Sequence, residues 1–186
     1  MSKLLIRKYI SEYNTLINNL NLSKILELKK MIIDTKKRKG IVYVFGNGGS
    51  LSTANHFAVD MTKNAKVKTI SLSNDNLITC FSNDYGFDKW IKKSIEYYIK
   101  KPDLVIFLTV SGNSKNIVNA LKLCQKKKIK TFSLTGHKND NLSNKLSNNF
   151  LWINSMSYNA VEIIHNIILL TVVDLIIGNN AYTSKR

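Results

Sequence analysis

Five short apolar runs, at 41–45, 67–72, 104–108, 130–134 and 150–153, alternate with longer stretches of helical periodicity. This alternation limits the fold more than any other feature of the chain. Runs this short and this uniformly apolar suit strands buried on both faces, and strands separated by helices pair in parallel. The helical stretches fall at about 50–64, 86–100, 114–127, 139–147 and 157–178, preceded by a helical region over 3–38. In that first region Leu16, Ile17, Leu20, Ile25, Leu28, Met31 and Ile32 recur at three- and four-residue spacing. The expectation is α/β: one domain with a five-stranded parallel sheet flanked by helices, with long N-terminal and C-terminal helices. Its divisions are a helical region at 1–40, the sheet domain at 41–178 and a polar tail at 179–186.

Composition narrows the function classes. A chain of 186 residues with 44% hydrophobic residues can bury a full core, which argues against disorder. Cys80 and Cys124 make neither a disulfide framework nor a zinc motif. The start, Met1-Ser2-Lys3-Leu4-Leu5-Ile6-Arg7-Lys8, lacks the apolar core of a signal peptide. A cytoplasmic location is therefore expected. The apolar stretch 160–178 is interrupted by Glu162, His165 and Asp174, which are costly in lipid, so a buried helix is the expected reading. The formal charge is +16. Its local clusters, Lys36-Lys37-Arg38-Lys39 and Lys126-Lys127-Lys128, fall where helices should end, and cations are favourable there. No aromatic residues interleave with them, so nucleic-acid binding is not expected.

A parallel sheet places its ligand at the carboxyl ends of its strands. Two of those ends carry matching residues. The first run ends in Gly46-Asn47-Gly48-Gly49-Ser50, the third in Thr109-Val110-Ser111-Gly112-Asn113-Ser114, and a helix follows each. Glycine lets the backbone approach a ligand, while hydroxyls and free helix N–H groups point at it. Asn47, Gly48, Ser50, Thr109, Ser111, Asn113 and Ser114 are the candidate phosphate ligands. Either loop alone reads equally well as a serine-capped turn; the pair together favours a phosphate cradle. Neither fits a nucleotide motif, since the P-loop lysine and the dinucleotide glycine spacing are both missing.

Beyond the loops, the chain carries His56-Phe57-Ala58, Ser82-Asn83-Asp84-Tyr85-Gly86-Phe87 and Leu134-Thr135-Gly136 in the same order as a known family. It resembles the SIS (sugar isomerase) domain and, more closely, the phosphoheptose isomerases, which convert sedoheptulose 7-phosphate to a heptose phosphate for envelope sugars. The resemblance implies phosphate binding by Ser50, Ser111 and Ser114, an aspartate near the substrate at Asp84, and a homotetramer with sites at subunit interfaces. The 1–40 region and the last helix would then pack on partner subunits. Asp84 reads equally as part of an Asx-type turn.

The chemistry departs from the family at two places. His56 and Asp60, spaced i,i+4, share one helix face and could hold a divalent metal or act as acid and base. The resemblance places a histidine and a glutamate there, with zinc in several members. Asp60 is one methylene shorter than that glutamate. On the last helix, Glu162 and His165 match the beginning of the family pattern, but its acid/base histidine falls on Leu170, or on Leu169 in the other register. A divergent branch with a Val-Glu-x-x-His run, often encoded with capsule or lipopolysaccharide genes, is the nearer likeness. His165 alone reads as a core histidine bonded to Glu162; as a set, His56, Asp60, Glu162 and His165 could meet across a helix or subunit contact.

The leading expectation is an aldose–ketose isomerase acting on sedoheptulose 7-phosphate, with Asp60, Glu162 and His165 sharing proton transfer and zinc at His56, Asp60 and Glu162. The alternative is a non-catalytic module that binds a sugar phosphate or a protein such as the replication initiator.

Overall fold

Asn21 divides the N-terminal helical region in two. The computed structural model, which describes residues 2–178, has helix α1 at Ser2–Asn18 and α2 at Leu22–Lys37 where the periodicity predicts one region over 3–38. At Asn21 the backbone is extended, and its side chain accepts a hydrogen bond from the Lys24 N–H at 3.3 Å. That is an N-cap, and it starts a new helix rather than continuing the old one. The tail expected at 179–186 lies outside the described residues.

The order that follows is β1 (Val42–Phe45), α3 (Gly48–Lys63), β2 (Thr69–Ile70), α4 (Asp75–Tyr85), α5 (Trp90–Tyr98), β3 (Leu104–Thr109), α6 (Lys115–Lys127), β4 (Lys130–Thr135), α7 (Leu142–Leu146), β5 (Asn149–Trp152) and α8 (Tyr158–Ile177). All five strands pair in parallel, in the order β2-β1-β3-β4-β5. The sheet is therefore as expected, although β2 is shorter than the apolar run at 67–72. The helix predicted at 86–100 begins later, at Trp90, and the helix-like stretch before it is α4. Gly86 (φ 91) ends α4, and α5 begins at Trp90.

Side-chain alternation along the strands builds a core on each face of the sheet. Val42, Val44, Leu104, Ile106 and Leu108 face one layer with Ile25, Leu28 and Ile32 of α2, Phe57 and Met61 of α3, and Ile164, Ile168 and Val172 of α8. Tyr43, Phe45, Val105 and Phe107 face the other with Trp90, Ile91, Ile95, Ile117, Leu121 and Cys124. Burial pushes the Cys124 thiol up to about 12, which keeps it protonated and inert.

Among the described residues α8 is long and apolar enough to cross a membrane, yet it lies in the core through Ala160, Val161, Ile164, Ile168, Leu169, Val172 and Val173. The lysine clusters do sit at helix ends: Lys36 and Lys37 in the last turn of α2, Lys126 and Lys127 in that of α6. Helix α1 is different. It has no buried residue, and Leu4, Leu5, Ile6, Tyr9 and Ile10 are all exposed. A fully buried side chain such as Leu28 contributes about 1.5–3 kcal/mol; from α1 the partly buried Leu16 packs against the core.

Candidate functional site

The strand order reverses between β1 and β3, because the chain leaves β1 towards β2 on one side and continues from β3 towards β4 and β5 on the other. Such a reversal opens a crevice at the carboxyl ends of the two strands. The two glycine loops lie there, each running into a helix: Gly46-Asn47 into α3 and 110–114 into α6.

The starts of these two helices are unlike most others in the chain. Asn21, Asn74, Asn141 and Ser157 all cap their helices by accepting from a backbone N–H. Asn47 and Ser114 stand at the same position of α3 and α6, yet neither makes a side-chain cap bond. The Asn47 carboxamide is committed elsewhere. It donates to Asn116 Oδ1 at 3.1 Å and accepts from Asn116 Nδ2 at 2.8 Å. Asn116 is 2% exposed and Asn47 half-buried, so this reciprocal pair is a part-buried tie between the first loop and the start of α6. The first turn of α3 is thereby left without a side-chain cap.

The second loop is clamped from the outside. Gly112 is in the left-handed region (φ 69), and a Cβ there would overlap the Asn141 side chain. Its carbonyl accepts from the Ser143 N–H at 2.9 Å, and Asn113 Oδ1 accepts from the Leu142 N–H at 3.0 Å. Asn113 therefore anchors α7 with its carbonyl oxygen and has only its NH₂ group left for a ligand. Ser111 Oγ accepts from the Asn113 N–H at 3.2 Å, and the Thr109 and Ser114 hydroxyls lie 3.4 Å apart. Of the candidate phosphate ligands, Ser50 and Thr109 are buried, each 3% exposed.

Glu162 reaches this cradle from α8. Its Oε1 accepts from the Ser50 hydroxyl at 3.2 Å, and a Cβ on Gly49 would overlap its carboxylate. Only glycine at 49 allows that approach.

The other candidate residues do not join it within one protomer. His56 Nε2 and Asp60 Oδ2 are 3.2 Å apart, with the imidazole 53% and the carboxylate 17% exposed. Asn64 Nδ2 donates to Asp60 Oδ1 at 3.1 Å. The shared helix face is as expected. However, Asp60 lies ten residues beyond Ser50 on α3, about 15 Å of helix rise, whereas Glu162 touches Ser50 itself. The set His56, Asp60 and Glu162 is thus split, and among the described residues no three His, Cys, Asp or Glu side chains gather as a metal-ligand group. The donor set of one protomer does not fit zinc.

His165 is 1% exposed and has no hydrogen-bond partner at either ring nitrogen among the described residues, Glu162 included. The expected bond to Glu162 is not made; the Glu162 carboxylate accepts from Ser50 Oγ instead. Burial pushes the His165 imidazole down to about 4; the Thr135 backbone, near the ring but outside hydrogen-bond geometry, opposes it only in part. Asp84 lies in the last turn of α4 rather than in a turn, exposed, with Asn83 Nδ2 at 3.0 Å and Cys80 Sγ at 3.7 Å. The Asp84 charge, with desolvation of the thiol behind it, pushes Cys80 up.

Known proteins share this architecture. The SIS domain family model matches residues 8–136. A phosphoheptose isomerase of Aliarcobacter butzleri is 31% identical over 144 residues, covering 73% of this chain and 76% of that one. One from Helicobacter pylori is 37% identical over 112 residues, covering 57% of this chain and 58% of that protein. The structure of a phosphoheptose isomerase from Francisella tularensis superimposes with a TM-score of 0.87 at 24% identity, covering 96% of this chain and 100% of the other. With its five-stranded parallel sheet and paired loops at the strand reversal, the chain belongs to the SIS domain family and is related to the phosphoheptose isomerases.

Proposed function

We propose that this protein is a sugar-phosphate isomerase that converts sedoheptulose 7-phosphate to D-glycero-D-manno-heptose 7-phosphate for lipopolysaccharide or capsule synthesis. The observation that carries the reading is the pair of uncapped helix starts at the β1–β3 reversal, with Ser50, Thr109, Ser111 and Ser114 around them. Those hydroxyls and first-turn N–H groups hold the phosphate, with no lysine needed in either loop. The names of the relatives support the choice of sugar.

Isomerisation moves a proton between neighbouring carbons. A base takes it from C1 of the ketose, the resulting enediol(ate) moves a proton between its oxygens, and a proton returned to C2 gives the aldose. Asp60 is the proposed base, oriented by His56 and Asn64. Because Asp60 lies ten residues along α3 from Ser50, which Glu162 of α8 touches, a complete site is assembled from two subunits. The exposed apolar residues of α1 supply a surface for that assembly, proposed to be a homotetramer. His165, buried and neutral, serves the packing of α8 in this scheme rather than proton transfer.

A second reading, a non-catalytic sugar-phosphate binder, is favoured by Leu169, fully buried where one register of the family pattern puts an acid/base residue. One experiment separates the two. The protein is incubated with sedoheptulose 7-phosphate in deuterated water, and interconversion and deuterium entry at the exchanging carbons are followed by NMR. Turnover establishes the isomerase; binding with neither interconversion nor exchange rejects it in favour of the binder.

A further inference from the structure

Glu162 places a negative charge in a site built to receive one. Its carboxylate accepts from Ser50 Oγ at 3.2 Å and lies against Gly49, in the first turn of α3. No lysine, arginine or histidine among the described residues forms an ion pair with it. A half-buried carboxylate without a cation is costly. What offsets the cost is the Ser50 hydroxyl and the positive end of α3, whose own N-cap residue is tied to Asn116. These are also the groups that would hold a phosphate.

We infer that Glu162 is an internal competitor for the phosphate cradle: its carboxylate occupies the start of α3 in the free protein and must swing away before a phosphate can bind. The inference rests on the sugar-phosphate reading of the site. It adds a specificity rule. A monoanionic ligand, such as a sugar acid carboxylate, offers α3 and Ser50 no more charge than Glu162 already does, and gains nothing by displacing it. A phosphate monoester dianion offers twice the charge and a third oxygen. Glu162 thus excludes weak anions from the cradle and lowers the affinity for phosphate itself, which favours release of a phosphorylated product.

The probe is inorganic phosphate, titrated calorimetrically at pH 8 into the full-length protein, Glu162→Gln, Ser50→Ala and the double variant. Removing the charge while keeping the shape should tighten phosphate binding about tenfold or more, and the gain should vanish when Ser50→Ala is added. The rise in Tm given by phosphate is a second readout and should be larger in Glu162→Gln. Equal or weaker binding in Glu162→Gln, with Ser50→Ala still impaired, overturns the competitor role and leaves the cradle standing. A gain that persists in the double variant puts the phosphate on the basic surface and also overturns it. If neither the unmodified protein nor Glu162→Gln binds phosphate, the cradle and the competitor fall together.

Discussion

The carboxamides of Asn47 and Asn116 hydrogen-bond to each other in both directions, at 3.1 and 2.8 Å, across the reversal between β1 and β3. The pair has two effects. It fixes the distance between the first loop and the start of α6, and it keeps Asn47 from capping α3, so that the helix start stays open. Asn116 Oδ1 also accepts from the Ile117 N–H at 3.0 Å, which holds the amide in one orientation.

Asn116→Ala should therefore act on stability and on binding together. Loss of a buried hydrogen-bonded partner costs about 1–3 kcal/mol, read as a lower midpoint in urea denaturation. The freed Asn47 can then turn to cap α3, so phosphate affinity should fall by about fivefold, one lost cap-type site being worth about 1 kcal/mol. An unchanged affinity alongside reduced stability would show that the pair braces the fold and does not shape the site.

Gly112→Ala tests the clamp on the second loop. Its φ of 69 and the Asn141 side chain against it leave no room for a methyl group. Strain of this kind costs about 1–3 kcal/mol, and the loss should be accompanied by faster amide exchange at Leu142 and Ser143, whose N–H groups bond to this loop.

The His165 imidazole gives stability a pH dependence of known sign. Its folded value is lowered to about 4 by burial, against about 6.5 in the unfolded chain. Between those values the unfolded state binds the extra proton, so stability rises with pH there. The contribution is complete above pH 6.5 and is lost as the pH falls towards 4, up to about 3 kcal/mol in all. In His165→Phe this part of the slope should vanish from urea denaturation measured between pH 4 and 7. A slope that persists unaltered would assign it to the carboxylates.

Asp60→Asn separates binding from chemistry. The amide keeps the size of the side chain and its contacts with His56 and Asn64 but cannot take a proton. If Asp60 is the base, kcat should fall by at least about a hundredfold, with KM little changed. A loss confined to KM would make Asp60 a substrate-orienting residue.

Much of the architecture can be read from local pattern, because buried parallel strands are short, apolar and regularly spaced. The two glycine loops are legible for the same reason: their chemistry is written within five or six residues. What escapes such reading depends on distant partners. Asn116 appears as an ordinary polar residue near a helix start until Asn47, 69 positions away, is brought to it. Glu162 stands out as a charge in an apolar helix, but its contact with Ser50 spans 112 positions. The break at Asn21 went the other way: a single cap decides it, against a helical periodicity that runs on past it.

The open starts of α3 and α6 also bear on any attempt to make this protein hardier. Engineering for heat resistance commonly rewards a serine or aspartate that closes a helix end. At Asn47 and Ser114 such a gain would come from filling the places proposed to receive a phosphate, so a screen scored on melting temperature alone would select against that binding. Selection carried out with phosphate present would judge the same positions by the opposite standard.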